Sequence, residues 1–242
     1  MKLFVDSANL RDIEEALSRG FSGITTNPSL LAKEPKSEFE KHIGRIVDLI
    51  LKYNPLAHLS VEVFSRDAKE ILNQARNFKR RFGLRGLSVK VQIGWDELRV
   101  INALFDEGIS VNCTCNMSVA QAVLAATAGA EFISFFWGRI RDGKEIKHAR
   151  ERDDLIKRKV LTREDFNPYS VVCEARALFD CSYPNAKIIA GSMRSVSDIV
   201  DAGLAGAHIV TVPPKFFKDM VSHFKTDEVV KQFLSDFEQW LN

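Results

Sequence analysis

Eight short β-rich runs, most of them followed by amphipathic helical sequence, divide this chain from end to end. They cover 3–6, 23–27, 58–63, 87–93, 110–115, 131–136, 186–192 and 208–213. Most are apolar without strict alternation, the pattern of parallel strands buried on both faces. Helical patterns fill 10–19, 38–53, 67–82, 96–107, 118–127 and 195–205. In the first, Arg11, Asp12, Glu14 and Glu15 share a polar face; in the second, Ile43, Ile46, Val47 and Ile50 share an apolar one. Ser118 stands where an N-cap belongs, and 195–205 also starts on a serine. Eight β/α units in 242 residues predict one closed (β/α)8 barrel domain over 1–242. A doubly wound sheet is the rival, but it uses fewer strands, and no Gly-rich first turn supports it.

Two segments break the rhythm. Residues 141–165 hold 16 charged side chains in 25, read as a solvated loop and helix extension or as a substrate lid. Residues 226–242 form a tail beyond the last strand, with Val229, Val230, Phe233, Phe237 and Trp240 at helical spacing. That tail predicts an additional C-terminal helix whose apolar face buries on its own barrel or on a neighbouring subunit.

Composition excludes several classes. Apolar residues make up 45% and charged residues 27%, enough to bury a core. Lys plus Arg is 34 against 32 Asp plus Glu, which does not mark a nucleic-acid or membrane-surface binder. The most apolar stretch, 122–130, falls far short of the ~20 residues that span a bilayer. Four scattered cysteines, Cys113, Cys115, Cys173 and Cys181, predict reduced thiols in a cytoplasmic protein. Cys113 and Cys115 lack the second pair that a zinc site needs, and the five histidines show no metal-ligand spacing. Strand-like sequence from Leu3 onward leaves no visible signal peptide.

In a barrel, chemistry sits at the C-terminal strand ends. Those ends carry Asp6, Thr25-Thr26-Asn27, Glu62, Lys90, Asn112 with Thr114, Ser134 with Phe136, Ser192 and Pro213. A lysine inside the apolar strand 87–93 is costly unless something uses it. Lys90 is either an ion-paired or snorkelling side chain, or an amine nucleophile that forms a Schiff base with a carbonyl. Asp6 and Glu62 are helix caps, structural acids, or the acid/base pair such chemistry requires. Arg139 and Arg194 follow adjacent strand ends, with Ser192 at a turn leading into a helix N-terminus. Each arginine alone reads as a surface ion pair; together they suit a phosphorylated substrate.

These residues resemble a known family. Phe4-Val5-Asp6-Ser7-Ala8-Asn9 and Gly23-Ile24-Thr25-Thr26-Asn27-Pro28-Ser29-Leu30 look like the opening of transaldolases, whose short members include the fructose-6-phosphate aldolases. Ser60-Val61-Glu62-Val63, Val89-Lys90-Val91 and Asn112-Cys113-Thr114 with Ser118 and Gln121-Ala122 are similar to the family's third, fourth and fifth strands. Ile133-Ser134, Phe136, Gly138-Arg139-Ile140 and Ala190-Gly191-Ser192 with Arg194 resemble its sixth and seventh. The likeness runs from Leu3 to about Pro214, and the tail resembles the short members' last helix.

The resemblance implies a Schiff base between Lys90 and the C2 carbonyl of a ketose phosphate. It implies Asp6 as acid/base at the C3–C4 bond, and Glu62 with Thr114 holding a proton-relaying water. Asn27 and Asn112 would orient donor hydroxyls with Thr25 and Ser134 nearby, while Arg139, Ser192 and Arg194 would bind phosphate. It further implies sugar phosphate substrates, no metal or organic cofactor, and a homo-oligomer, a decamer or pentamer. Plain aldolases of the family tend to carry Gln where this chain has Glu62 and Tyr where it has Phe136, which favours transfer over release. Aldolase cleavage freeing dihydroxyacetone is the alternative, and a non-catalytic sugar-phosphate binder is a third reading. Departures at Gln92, Gly94, Cys115-Asn116-Met117, Phe135 and Trp137 alter the pocket wall, so another anionic sugar such as a sulfonate is a candidate substrate.

Overall fold

The computed structural model describes residues 1–241. Asn242, the last residue of the expected domain and of its tail, lies outside the described residues. The strands are β1 Lys2–Asp6, β2 Gly23–Thr25, β3 His58–Glu62, β4 Leu87–Gln92, β5 Val111–Asn116, β6 Phe132–Phe136, β7 Lys187–Gly191 and β8 Ile209–Val212. They pair in parallel in chain order, and β8 closes on β1. Between and after them lie α1 Leu10–Leu17, α2 Pro28–Leu31, α3 Phe39–Tyr53, α4 Ala68–Phe82, α5 Trp95–Asp106, α6 Val119–Thr127, α7 Trp137–Asp142, α8 Ala149–Lys157, α9 Pro168–Ser182, α10 Val196–Leu204 and α11 Phe224–Leu241. The architecture is the expected (β/α)8 barrel with an additional C-terminal helix.

Local chemistry starts the helices. Asn9 caps α1, Asp67 caps α4 and Ser195 caps α10, each accepting a backbone N–H of the first turn. Ser118 and Gln121 close a reciprocal capping box on α6. α9 is the longest helix that the amphipathic reading does not name, the short α2 and α7 being the others. Its start is marked by Asn167, which caps it, and by Pro168 in its first turn.

Packing divides into two cores. Between strands and helices lies the larger one, where Ile43, Ile46 and Ile50 of α3 are fully buried. Each such side chain is worth about 1.5–3 kcal/mol relative to exposure. The second core fills the barrel's N-terminal half with Phe4, Phe132, Ile189 and Ile209. Gly23 serves this core: a Cβ there would lie 2.6 Å from the Phe4 ring.

Strand stagger then sets the site's height. Glu62 pairs with Lys90 and Lys90 with Asn112, yet the same row continues to Phe132 and Lys187 at the opposite mouth. Polar side chains therefore occupy the C-terminal half of the interior above an apolar floor. The charged segment 141–165 is mostly exposed around α8, but Arg141 and Asp142 at its start turn inward to ion pairs described below.

Candidate active site

At the C-terminal rim, Asp6, Thr25, Asn27, Glu62 and Lys90 line a cavity of about 420 Å³. Ser134, Phe136, Arg139 and Ser192 complete its far wall. An adjoining cavity of about 770 Å³ shares Asp6, Arg139 and Ser192 and adds Lys33, Arg194 and Lys215. Asn112 and Thr114 lie buried beneath this wall rather than on it.

Lys90 is only 4% exposed. Its Nζ donates to the Thr26 carbonyl at 2.9 Å and pairs with Glu62 Oε2 at 3.0 Å. The sheet register forces that pairing, because Glu62 and Lys90 are direct partners on β3 and β4. Asp6 accepts from the Thr25 hydroxyl at 2.9 Å, and Thr25 lies 2.5 Å from the Thr211 hydroxyl. Burial raises the Asp6 carboxyl above the ordinary aspartate range, although Lys90, Thr25 and Lys33 pull it down. Asn27 caps α2, its Oδ1 accepting from Leu30 N–H at 3.0 Å.

Below the lysine, Ser134 Oγ donates to Asn112 Oδ1 at 2.7 Å. Thr114 Oγ1 is buried with no hydrogen-bond partner in the protein. The next residue, Cys115, was expected among the changes to the pocket wall but not among the site residues, and it lines the cavity. A register shift in β5 and a left-handed φ of 66° turn it into the cavity beside Lys90. Burial and the Glu62 charge raise its thiol above the usual range, with Lys90 opposing.

The arginine-bearing end of the rim is built by α7 and the turn before α10. Ser192 adopts φ 61°, and its carbonyl accepts from Gly138 N–H at 3.2 Å. A Cβ at Gly138 would stand 2.6 Å from that carbonyl and from Arg194 Nε. The Arg194 guanidinium forms a two-pronged pair with Asp142, and Arg139 is 3.9 Å from the same carboxylate. Arg194 holds the Asp142 carboxyl below the ordinary range. Buried Asp198 ties the elements together. It accepts from Arg141 at 2.9 and 3.0 Å, from Trp137 Nε1 at 3.2 Å and from Arg194 N–H at 3.0 Å. Thus the Asp198 and Ser195 side chains already take N–H groups at this turn, and the two arginines supply the charge at the rim.

Sequence reasoning also missed Asp142, Lys33, Lys215 and Thr211. Asp142 was hidden in the charge run, while Thr211 carried a detectable signal, a hydroxyl inside the apolar strand β8.

Among the described residues, no cluster of three or more His, Cys, Asp or Glu side chains is placed to hold a metal ion. No helix among them is long and apolar enough to cross a membrane. Fold and site together define a (β/α)8 barrel of the lysine–carboxylate type, with a buried amine between two acids and paired arginines at the rim. The chain belongs to the transaldolase/fructose-6-phosphate aldolase family, whose family model matches residues 3–242. It is 34% identical over 239 residues to a probable transaldolase of Alkaliphilus metalliredigens, covering 98% of each chain. It is 34% identical over 245 residues to a probable transaldolase of Clostridium acetobutylicum, covering all of both. Among solved structures, thiamine phosphate pyrophosphorylase from Pyrococcus furiosus aligns with a TM-score of 0.55 at 12% identity, over 88% of this chain and 85% of that one. That likeness concerns the fold alone.

Proposed function

We propose that this protein is a transaldolase that moves a dihydroxyacetone unit from a ketose phosphate to an aldose phosphate through a Schiff base on Lys90. Candidate donors are sedoheptulose 7-phosphate and fructose 6-phosphate; candidate acceptors are glyceraldehyde 3-phosphate and erythrose 4-phosphate. The observation that carries the reading is the lysine itself, buried in a polar cavity with Glu62 at 3.0 Å and Asp6 across from it.

The ammonium of Lys90 must first lose a proton, and Glu62 is the adjacent acceptor. The neutral amine adds to the C2 carbonyl, and loss of water leaves an iminium. Asp6 removes the proton of the C4 hydroxyl. The C3–C4 electron pair then flows into the iminium, giving an enamine on Lys90 and a free aldose phosphate. The enamine C3 attacks the aldehyde of the acceptor, Asp6 returns its proton to the new hydroxyl, and water hydrolyses the product iminium. A carboxyl raised by burial suits a group that takes and returns a proton. The unpartnered Thr114 hydroxyl suits a water held with Glu62. Asn27, Asn112, Thr25 and Ser134 orient the donor hydroxyls, and Ser192, Arg139 and Arg194 take the phosphate.

The working form is a cytoplasmic homo-oligomer, a decamer or pentamer, in which α11 packs on a neighbour. This part of the reading is supported by the helix's exposed apolar side chains.

The test is borohydride reduction in the presence of fructose 6-phosphate, followed by intact mass and peptide mapping. A dihydroxyacetone-sized adduct on Lys90, abolished by Lys90→Ala, is expected. A folded protein that traps no adduct from any ketose phosphate would overturn the proposal. Turnover that needs no aldose phosphate would replace it with the aldolase reading.

A further inference from the structure

The reaction above leaves unused a second concentration of positive charge, at the N-terminal mouth of the barrel. A cavity of about 460 Å³ opens there, with Phe4, Phe132 and Ile209 of the apolar floor along its base. Lys2 on β1 and Lys187 on β7 stand two residues from Phe4 and Ile189, core residues of the same strands, so both lysines face inward. Bulky branched side chains are the usual occupants of such inward layers. β8 lies between these two strands, and His208, just before it, is tied to both. Its carbonyl accepts from Lys2 N–H at 2.8 Å, and its Nδ1 accepts from Ile188 N–H at 3.0 Å. Three adjacent strand ends thus bring two ammonium groups and an imidazole to one side of the mouth. Arg176 of α9 joins them, and Arg85 lines the opposite side from the turn before β4.

Four cationic side chains line this cavity against one carboxylate, Glu131. That carboxylate is already engaged, by Lys187 Nζ at 3.2 Å and by the Ser110 hydroxyl at 2.7 Å. Arg176 is engaged as well, by Asp180 at 2.7 Å and by the Gly206 carbonyl at 3.0 Å. Among the described residues, the Lys2 and Arg85 side chains have neither an ion pair nor a hydrogen bond. His208 adds a neutral donor. Burial and then Arg176 push its ring below the ordinary histidine range, with Lys187 adding to the effect and Asp180 opposing it. Because Nδ1 accepts, the neutral ring carries its hydrogen on Nε2, and no described residue takes that hydrogen. His58, in the same cavity, is pushed down to about 3 by burial, Lys187 and Lys2. Both imidazoles therefore sit in a field that opposes any further positive charge.

We propose that this mouth is a binding site for a phosphate dianion, free or at the end of a small organic phosphate, held by Lys2, Lys187, Arg85 and the Nε2–H of His208. A concave site lined by one sign of charge concentrates the opposite ion. A tetrahedral anion offers oxygens in several directions, which suits donors that converge from both sides of the mouth. The apolar base leaves room for a short carbon body. Its rings are already engaged: His58 stacks on Phe4 with centres 5.1 Å apart and packs against Phe132 at 4.5 Å, and Lys187 lies 5.2 Å from the Phe132 centre. A compact ligand therefore fits better than a stacked nucleobase. The site stands apart from Lys90 and does not depend on the transaldolase reading.

The test titrates ¹⁵N-histidine-labelled protein with inorganic phosphate at about pH 8, where the ion is mainly divalent. Sodium chloride holds the ionic strength constant, and the His208 signals are assigned with His208→Gln. A saturable shift of Nε2 is expected, and it should persist in Arg139→Gln combined with Arg194→Gln. Lys2→Gln combined with Arg85→Gln removes two exposed side chains that hold no partner, and should weaken binding about tenfold. Melting temperature gives a second readout. On the Arg139→Gln/Arg194→Gln background phosphate is expected to raise it, and adding Lys2→Gln and Arg85→Gln should abolish the rise. His208 signals that stay still, drift without saturating, or keep the wild-type midpoint in the Lys2→Gln/Arg85→Gln variant overturn the proposal. Glycerol 2-phosphate, which has no carbonyl for Lys90, separates the two sources. Binding tighter than that of inorganic phosphate assigns the site to an organic phosphate, and equal or weaker binding assigns it to the free ion.

Discussion

Asp6 occupies a buried site that favours its protonated form. Burial lifts its carboxyl above the unfolded value of about 3.9, so the native state holds the proton more tightly. The associated stability is complete below the unfolded value and is lost as pH rises through the folded one. At neutral pH the buried carboxylate is therefore a net cost, about 1.4 kcal/mol for each pH unit of displacement. Asp6→Asn keeps an oxygen for the Thr25 hydroxyl and removes that cost. Melting curves should show the variant more stable than wild type at pH 7, with the difference gone below about pH 4, and turnover abolished. A variant less stable at pH 7 would show that the Lys90 attraction outweighs burial. Phe136 poses a second residue-scale question. A tyrosine hydroxyl there can hold the water that frees dihydroxyacetone, and a phenyl ring cannot. Phe136→Tyr should raise acceptor-independent dihydroxyacetone release about tenfold in a coupled assay, and flat release would remove this position from the choice between transfer and cleavage. Lys90 was legible because a lysine in an apolar strand is anomalous. Cys115 was legible only as a change in the pocket wall, and the β5 register shift with its left-handed φ is what turns it into the cavity beside Lys90.

At the scale of elements, the arginine-bearing end of the rim depends on how tightly α7 meets the turn before α10. Gly138 is the contact point. A Cβ there would meet the Ser192 carbonyl and Arg194 Nε at 2.6 Å, and a backbone oxygen has little room to yield. Gly138→Ala should cost about 1–3 kcal/mol of stability. It should also raise KM for phosphorylated donors more than it lowers kcat, because it displaces the arginine and not the lysine. Steady-state kinetics beside a thermal melt would check this, and an unchanged KM would free Arg194 from the phosphate role. Element types were readable wherever periodicity was strong, as in α3 and α4. α9 escaped because its apolar positions do not make a clean stripe, although its Asn167-Pro168 start was visible. The Asp142–Arg194 and Arg141–Asp198 pairs join residues that are distant in the chain, so a charge run was all that local reading could see.

For the whole molecule, α11 is the unsettled surface. None of its described residues is buried, and Phe224, Phe233, Phe237 and Trp240 are each more than half exposed, Trp240 at 77%. Such a contiguous apolar face on a surface helix is the usual mark of a subunit contact. Deleting 226–242 should shrink the assembly in analytical ultracentrifugation while the barrel still melts cooperatively. An identical particle before and after deletion would sink the interface reading. The barrel itself was written locally. Strands buried on both faces read as apolar runs, helices read as 3.6-residue stripes, and their eightfold alternation admits one closed solution. The strand-end motifs likewise placed Asp6, Glu62, Lys90 and the two arginines at one rim. Closure supplied the rest. Stagger between neighbouring strands decides which inward side chains share a level, and it put His58, Ser60, Asn112 and Ser134 in one hydrogen-bonded string. Those contacts join three strands and residues up to 52 positions apart in the chain. No local propensity encodes them, because they depend on the register between β3, β4, β5 and β6.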